Sequence, residues 1–250
     1  MRNDGAGAVI QDMLYAHAFA FVHGKSYGGA CGLHRPHMFQ SHVSVLTQIG
    51  LLDELPLFDK CKDEWEVTPD DVYRKGVEHK DEMLFSETWL HYIRSRITVD
   101  LSQTDQSQPE TAVHIRRGDV GPCTTHGNRY LPNSHYQSIL DNYIPVSSHV
   151  TIYSQRHSFE PITESFGQRC TLKLDVDLGQ TWLGIMSADF VVMSKSSFSF
   201  VPTLLNAKAT VIYTPFWHGK FHNWTQVSAD IMNRTEEDGD VLRARANCRA

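Results

Sequence analysis

Apolar residues near the start of the chain recur at Ile10, Met13, Leu14, Ala18 and Phe21. Spacings of three and four predict an amphipathic helix over Gln11–Ala20, fed by the small-residue run Gly5-Ala-Gly7-Ala-Val-Ile10. A second glycine-spaced stretch spans Gly24–Gly32. Residues 40–58 read as another helix ended at Pro56, 59–82 as a charged loop, and 83–98 as helix again. The polar, aperiodic run between Asp100 and Glu110 reads as a linker. Beyond it short apolar runs predict strands at Thr111–Ile115, His149–Tyr153, Thr171–Leu174, Phe190–Met193 and Thr210–Tyr213. Helical patterns separate them at Asn133–Tyr143, Pro161–Phe166, Thr181–Ser187 and Ser199–Leu205. Strand–helix alternation of this kind implies βαβ units, a parallel sheet, and ligands at the carboxyl ends of the strands. The charged stretch from Glu236 reads as a frayed tail.

Composition narrows the class. The 250 residues are 41% hydrophobic and 21% charged, a globular balance. A net charge of −6 argues against non-specific nucleic-acid binding, which needs a basic surface. An anionic ligand must then be held by a few placed cations. No run approaches the ~20 apolar residues of a membrane span, and the first residues lack a signal-peptide core. Asn223-Trp-Thr225 and Asn233-Arg-Thr235 are glycosylation sequons. Five dispersed cysteines, without a CxxC, read as buried thiols, with one or two disulfides in an oxidising compartment.

The chemistry gathers after two strands. In His114-Ile-Arg116-Arg117-Gly-Asp119-Val, alternation sends His114 and Arg116 to one face and Ile115 and Arg117 to the other. An arginine at the end of a central strand needs an anionic partner. For Arg117 the nearby Asp119 serves. For Arg116 a ligand phosphate is favoured, because guanidinium and phosphate match in a bidentate way. Further on, Asp189-Phe-Val-Val-Met-Ser-Lys-Ser196-Ser197-Phe198-Ser-Phe runs from strand through a serine-rich turn into a helix start. Hydroxyls and free helix N–H groups then meet at one point, an arrangement that suits an anion.

Together these segments resemble the fucosyltransferase superfamily of α1,2-, α1,6- and protein O-fucosyltransferases, whose members carry an HxRRxD peptide and a later serine–phenylalanine segment. The loop at Asp4–Gln11 resembles the amino-terminal loop of those enzymes. The resemblance implies an α/β, GT-B-like fold of two Rossmann-like lobes with parallel sheets and an interlobe cleft. Residues 1–105 would form the acceptor lobe, 106–235 the nucleotide-sugar lobe and 236–250 a charged tail. It also implies metal-independent, inverting transfer of fucose from GDP-fucose to a glycan or glycoprotein hydroxyl, with no other cofactor, in the Golgi lumen; a cytoplasmic location is the alternative. By position Arg116 would contact the β-phosphate and His114 the nucleotide, with Arg117, Gly5 and Gly7 in the same substrate site. Ser196, Ser197 and Phe198 would hold phosphate and base.

Two departures bear on specificity. Where the family often has an Asp that reads guanine, this chain has Thr181, and Asp177 one turn earlier is the substitute. No Glu follows the arginine motif, so the acceptor proton falls to Asp119, to His126 or to the leaving phosphate. The same fold with another sugar nucleotide, and a non-catalytic nucleotide- or glycan-binding homologue, are the alternatives. Asp175-Val-Asp177 as a metal-binding DxD, and His34/His37 or His218/His222 as zinc pairs, are further candidates. Arg129 is a second phosphate candidate, and Tyr213–His218 an aromatic platform or a core plug.

Overall fold

The computed structural model describes residues 5–31, 36–58, 84–101, 107–124, 126–156, 162, 166 and 170–248, with 36–40 through the backbone only. The loop expected at 59–82 lies outside these residues, as does most of the short helix expected at 161–166 and part of the linker at 102–106.

Two helices open the chain, α1 (Ala6–Val22) and α2 (Pro36–Gln48), with a two-residue strand β1 (Ala30–Cys31) between them. Strand β2 (Leu57–Phe58) pairs parallel to β1, and α3 (Glu87–Ser95) follows. The expected helix to residue 55 ends early at Gln48. Gly50 takes φ +71, Leu51 N–H bonds Leu46 O at 2.9 Å, and Gly50 N–H bonds Thr47 O at 3.0 Å. That is a Schellman stop, so a glycine ends the helix well before the proline.

Strands β3 (Glu110–Ile115), β4 (His149–Ser154), β5 (Cys170–Leu174), β6 (Phe190–Val192), β7 (Thr210–Tyr213) and β8 (Thr225–Gln226) form one sheet. All pairs are parallel, in the order β5-β4-β3-β6-β7-β8. In chain order that is 3-2-1-4-5-6, the doubly wound arrangement in which connections diverge between the first and fourth strands, here β3 and β6. Helices α4 (Asn133–Tyr143), α5 (Leu178–Ser187), α6 (Ser197–Leu205), α7 (Ala229–Glu236) and α8 (Gly239–Asn247) complete the described elements.

Strand alternation divides the core in two. Ala112, Tyr153, Val191, Val211 and Tyr213 face a cluster built with Trp182, Ile185, Phe200 and Leu204 of α5 and α6. Ile10, Met13, Leu14, Leu46, Trp89 and Ile93 of α1, α2 and α3 join the same cluster. The opposite face sets Val113, Ile115, Ile152, Val192 and Ile212 against Tyr136, Ile139 and Leu140 of α4 and Ile231 of α7. The described apolar side chains of α1, α2 and α3 therefore share one core with the first of these faces of the sheet.

The stretch after Glu236 is not frayed. Asp238 caps α8 by accepting from Asp240 N and Val241 N, and Val241 is buried against Val120 and Tyr130. A disulfide joins Cys123 to Cys248, with Cα atoms 5.4 Å apart. Cys31 is disulfide-bonded too. Instead of buried thiols, Cys123 and Cys248 form an exposed staple, and Cys170 directs its thiol to Phe166 O. No helix among the described residues is long and apolar enough to cross a membrane.

Candidate functional site

At the divergence of β3 and β6 lies a cavity of about 600 Å³. That volume is within the ~300–1,000 Å³ of ordinary ligand pockets. Its walls come from distant parts of the chain: the N-terminus of α1 (Gly5, Gly7), the tip of β3 (His114, Arg116), the start of α6 (Ser197, Phe198), the end of β4, and the loops after β4 and β5. Gly7 makes this convergence feasible. A Cβ there would collide with the backbone of Ser197 and Phe198, so only glycine lets the starts of α1 and α6 touch. Two helix N-termini, with their positive dipole ends, therefore border one cavity.

Arg116 stands between them. Its Nη1 donates to Ser196 Oγ at 2.7 Å, its Nη2 to Asp119 Oδ2 at 2.7 Å, and its buried Nε has no hydrogen-bond partner. Ser196 is fully buried and also caps α6, accepting from Phe198 N at 3.2 Å. One hydroxyl thus fixes both the arginine and the helix start. His114 is held by Ser194 Oγ at Nδ1, 2.7 Å away, and its ring lies 5.1 Å from that of Phe198. Burial, and then the charge of Arg116, push the His114 pKa down to about 3, so the ring is neutral at physiological pH.

Arg117 departs from the pairing expected with Asp119. Its side chain crosses to the α4 face, almost fully buried, and donates to Arg116 O, Leu131 O and Asn133 Oδ1 at 3.1, 3.0 and 2.7 Å. Its guanidinium also lies 4.6 Å from the centre of the Tyr130 ring. The carboxylate of Asp119 goes to Arg116 instead, because the positive φ of Gly118 (+78) turns the chain back to that face. Alternation along β3 decides which arginine reaches which side.

Asp177 is spent as the N-cap of α5, accepting from Gly179 N and Gln180 N. The helix accordingly starts at Leu178, earlier than its apolar pattern alone suggests. Thr181 and Asp175 line the cavity, whereas Asp177 does not. Asp175 has φ +56 and takes Arg156 N and Nη1 at 3.1 and 2.7 Å, so the two carboxylates of the DxD triplet serve separate partners. His126 is exposed beside the short 3₁₀ turn Gly127–Arg129 and is not among the lining residues. Of the histidine pairs, His34 lies outside the described residues, and His218 is buried, stacked at 4.1 Å on Phe200. Tyr213 is likewise in the core, its hydroxyl donating to His218 O. The 213–218 segment is thus largely a plug, with Trp217 exposed.

Several lining residues carry no motif: Tyr153, Ser154, Gln155, Val176 and Leu178. They end β4 or follow β4 and β5, where the rule of carboxyl-end ligands points, though no residue type marks them in the sequence.

The fold and site define an α/β protein with a doubly wound parallel sheet and a cationic, helix-capped cavity at its switch point. No protein-family model matches the chain, and no curated protein matches it. Among solved structures it is similar to E. coli ADP-heptose lps heptosyltransferase II, with 15% identity and a TM-score of 0.38. The similarity covers 64% of this chain and 51% of that one, so the chain matches about half of that protein's length.

Proposed function

We propose that the chain is a GT-B-type glycosyltransferase that takes a sugar from a nucleoside-diphosphate donor, specifically fucose from GDP-fucose, and passes it to a glycan or glycoprotein hydroxyl. The observation that carries this reading is Arg116, held by Ser196 in a cavity that two helix N-termini also line. Breaking the sugar–phosphate bond leaves negative charge on a phosphate oxygen, and preorganised donors aimed at that oxygen lower the barrier. Arg116 and the N–H groups at the starts of α1 and α6 supply such donors. Phe198 and neutral His114 offer a surface for the nucleoside. The acceptor proton would pass to the Asp119 carboxylate or to the leaving phosphate itself. His126, outside the lining, receives no role.

A second reading, a homologue that binds nucleotide without turnover, draws on one observation. Asp119 and Asp175, the lining carboxylates, are each tied to an arginine. Calorimetric titration with GDP and UDP, followed by GDP release from GDP-fucose with glycan acceptors, separates these readings. Turnover with GDP-fucose supports the transferase; tight GDP binding without turnover supports the second reading. Arg116→Ala should slow turnover on the order of 100-fold or more. Unchanged turnover in that variant would remove the basis of the proposal.

A further inference from the structure

We infer that Arg129 is a second ligand for the donor diphosphate and that the C-terminal helix α8 holds it at the cavity, an inference that rests on the donor-site reading above. Arg129 lines the same cavity as Arg116, from the connection that follows β3. Its guanidinium lies 5.5 Å from the centre of the Phe216 ring, and no carboxylate among the described residues forms an ion pair with it. A guanidinium over an aromatic ring keeps its N–H donors available around its edge. Arg116, by contrast, already shares its charge with Asp119. A diphosphate carries more charge than one half-neutralised arginine can match, and the uncommitted cation of the cavity is Arg129.

Gly127–Arg129 is a single 3₁₀ turn in the connection between β3 and α4. Local bonds close it, Arg129 N–H donating to His126 O at 2.9 Å and Tyr130 N–H to Gly127 O at 3.1 Å. Further contacts reach it from over a hundred residues away. The Cys123–Cys248 disulfide, with a sequence separation of 125, ties the start of the connection to the end of α8. Arg245 of α8 donates to Gly127 O at 3.1 Å, inside the turn itself. Val241 packs with Val120 and Tyr130 on either side of the turn. At the start of α8, Asp238 accepts from Ser134 Oγ at 2.8 Å. No residue of α8 lines the cavity, yet these contacts converge on the segment carrying Arg129.

The test is titration of the full chain with GDP, with pyrophosphate as a probe independent of the base, and with guanosine as a probe without phosphate. Arg129→Ala should weaken GDP and pyrophosphate about 10- to 100-fold and leave guanosine unchanged, with Arg129→Lys recovering part of the loss. Cys123→Ser combined with Cys248→Ser should weaken the two phosphate probes selectively. Added to Arg129→Ala, that pair should cost nothing more, because both act through one side chain. If the cysteine variant loses its fold by circular dichroism, Arg245→Ala applies the same test with the disulfide intact. Pyrophosphate binding by Arg129→Ala within about twofold of wild type would overturn the assignment of Arg129, and additive losses would overturn the role of α8. A wild-type chain that binds GDP but shows either of those results leaves the donor-site reading standing. Should wild type bind neither GDP nor pyrophosphate, the donor-site reading falls, and this inference with it.

Discussion

Two adjacent arginines at the tip of β3 meet opposite surroundings. On the α6 face Arg116 divides its guanidinium between the Ser196 hydroxyl and the Asp119 carboxylate at a cavity of about 600 Å³. On the α4 face Arg117, which also touches that cavity, spends its guanidinium on the carbonyls of Arg116 and Leu131, the Asn133 amide oxygen and the Tyr130 ring. The histidines follow suit: His114 engages one ring nitrogen with Ser194, while His135 engages both, with Thr235 and Thr214 at 2.8 and 3.1 Å. A polar group committed to backbone carbonyls beneath a sheet supports the fold. One held by side chains at a cavity can exchange them for a ligand. The sequence writes both as the same residue type, and the surroundings assign the work.

The strongest way to break this comparison is Arg117→Ala. Removing a buried guanidinium orphans the carbonyls of Arg116 and Leu131 and opens a void, so unfolding by denaturant should show a loss of roughly 3–5 kcal/mol. A loss no larger than that of Arg116→Ala would mean the two faces are equivalent.

Gly7→Ala probes the open face without touching a charge. Its methyl group meets the backbone of Phe198, and backbone cannot rotate aside. Overpacking of this kind costs about 1–3 kcal/mol and should spread the starts of α1 and α6, so nucleotide binding should fall along with the melting temperature. Full binding in this variant would show that the close approach is not needed for the site.

Acid sharpens the contrast gradually, one pH unit at a time. His114, His135 and His218 all have pKa values lowered to about 3, chiefly by burial. The unfolded chain binds these protons near pH 6.5 and the folded chain does not, so the histidines cost nothing above that pH. Each withdraws roughly 1.4 kcal/mol per pH unit as the pH falls from about 6.5 towards 3, and no more below it. His135→Gln should flatten the fall in stability measured by urea denaturation across that window. An unaltered slope would show that His135 does not titrate as a sealed neutral ring.

Much of the scaffold was legible in the chain. The strands from β3 to β7 and α4 stand where short apolar runs and helical spacing put them, and alternation separated Arg116 from Arg117 correctly. The departures share one cause. Position offers Asp177, one turn before Thr181, as the carboxylate that reads guanine, yet the same carboxylate caps α5. Residues after 236 read as fraying because charge was weighed without Asp238 as a cap or Cys248 as an anchor. Asp119 was given to Arg117, since linear proximity carries no information about which face a turn returns to.

Period and residue type by themselves determined the parallel α/β architecture and brought His114 and Arg116 to one side of one strand. Which strands became neighbours was decided only in three dimensions. Placing β6 beside β3 joins Arg116 to Ser196 across 80 residues, and stapling α8 to the β3–α4 connection brings in Arg129. Local preferences act over a few residues, whereas strand pairing and disulfide closure depend on how whole layers bury their apolar faces together.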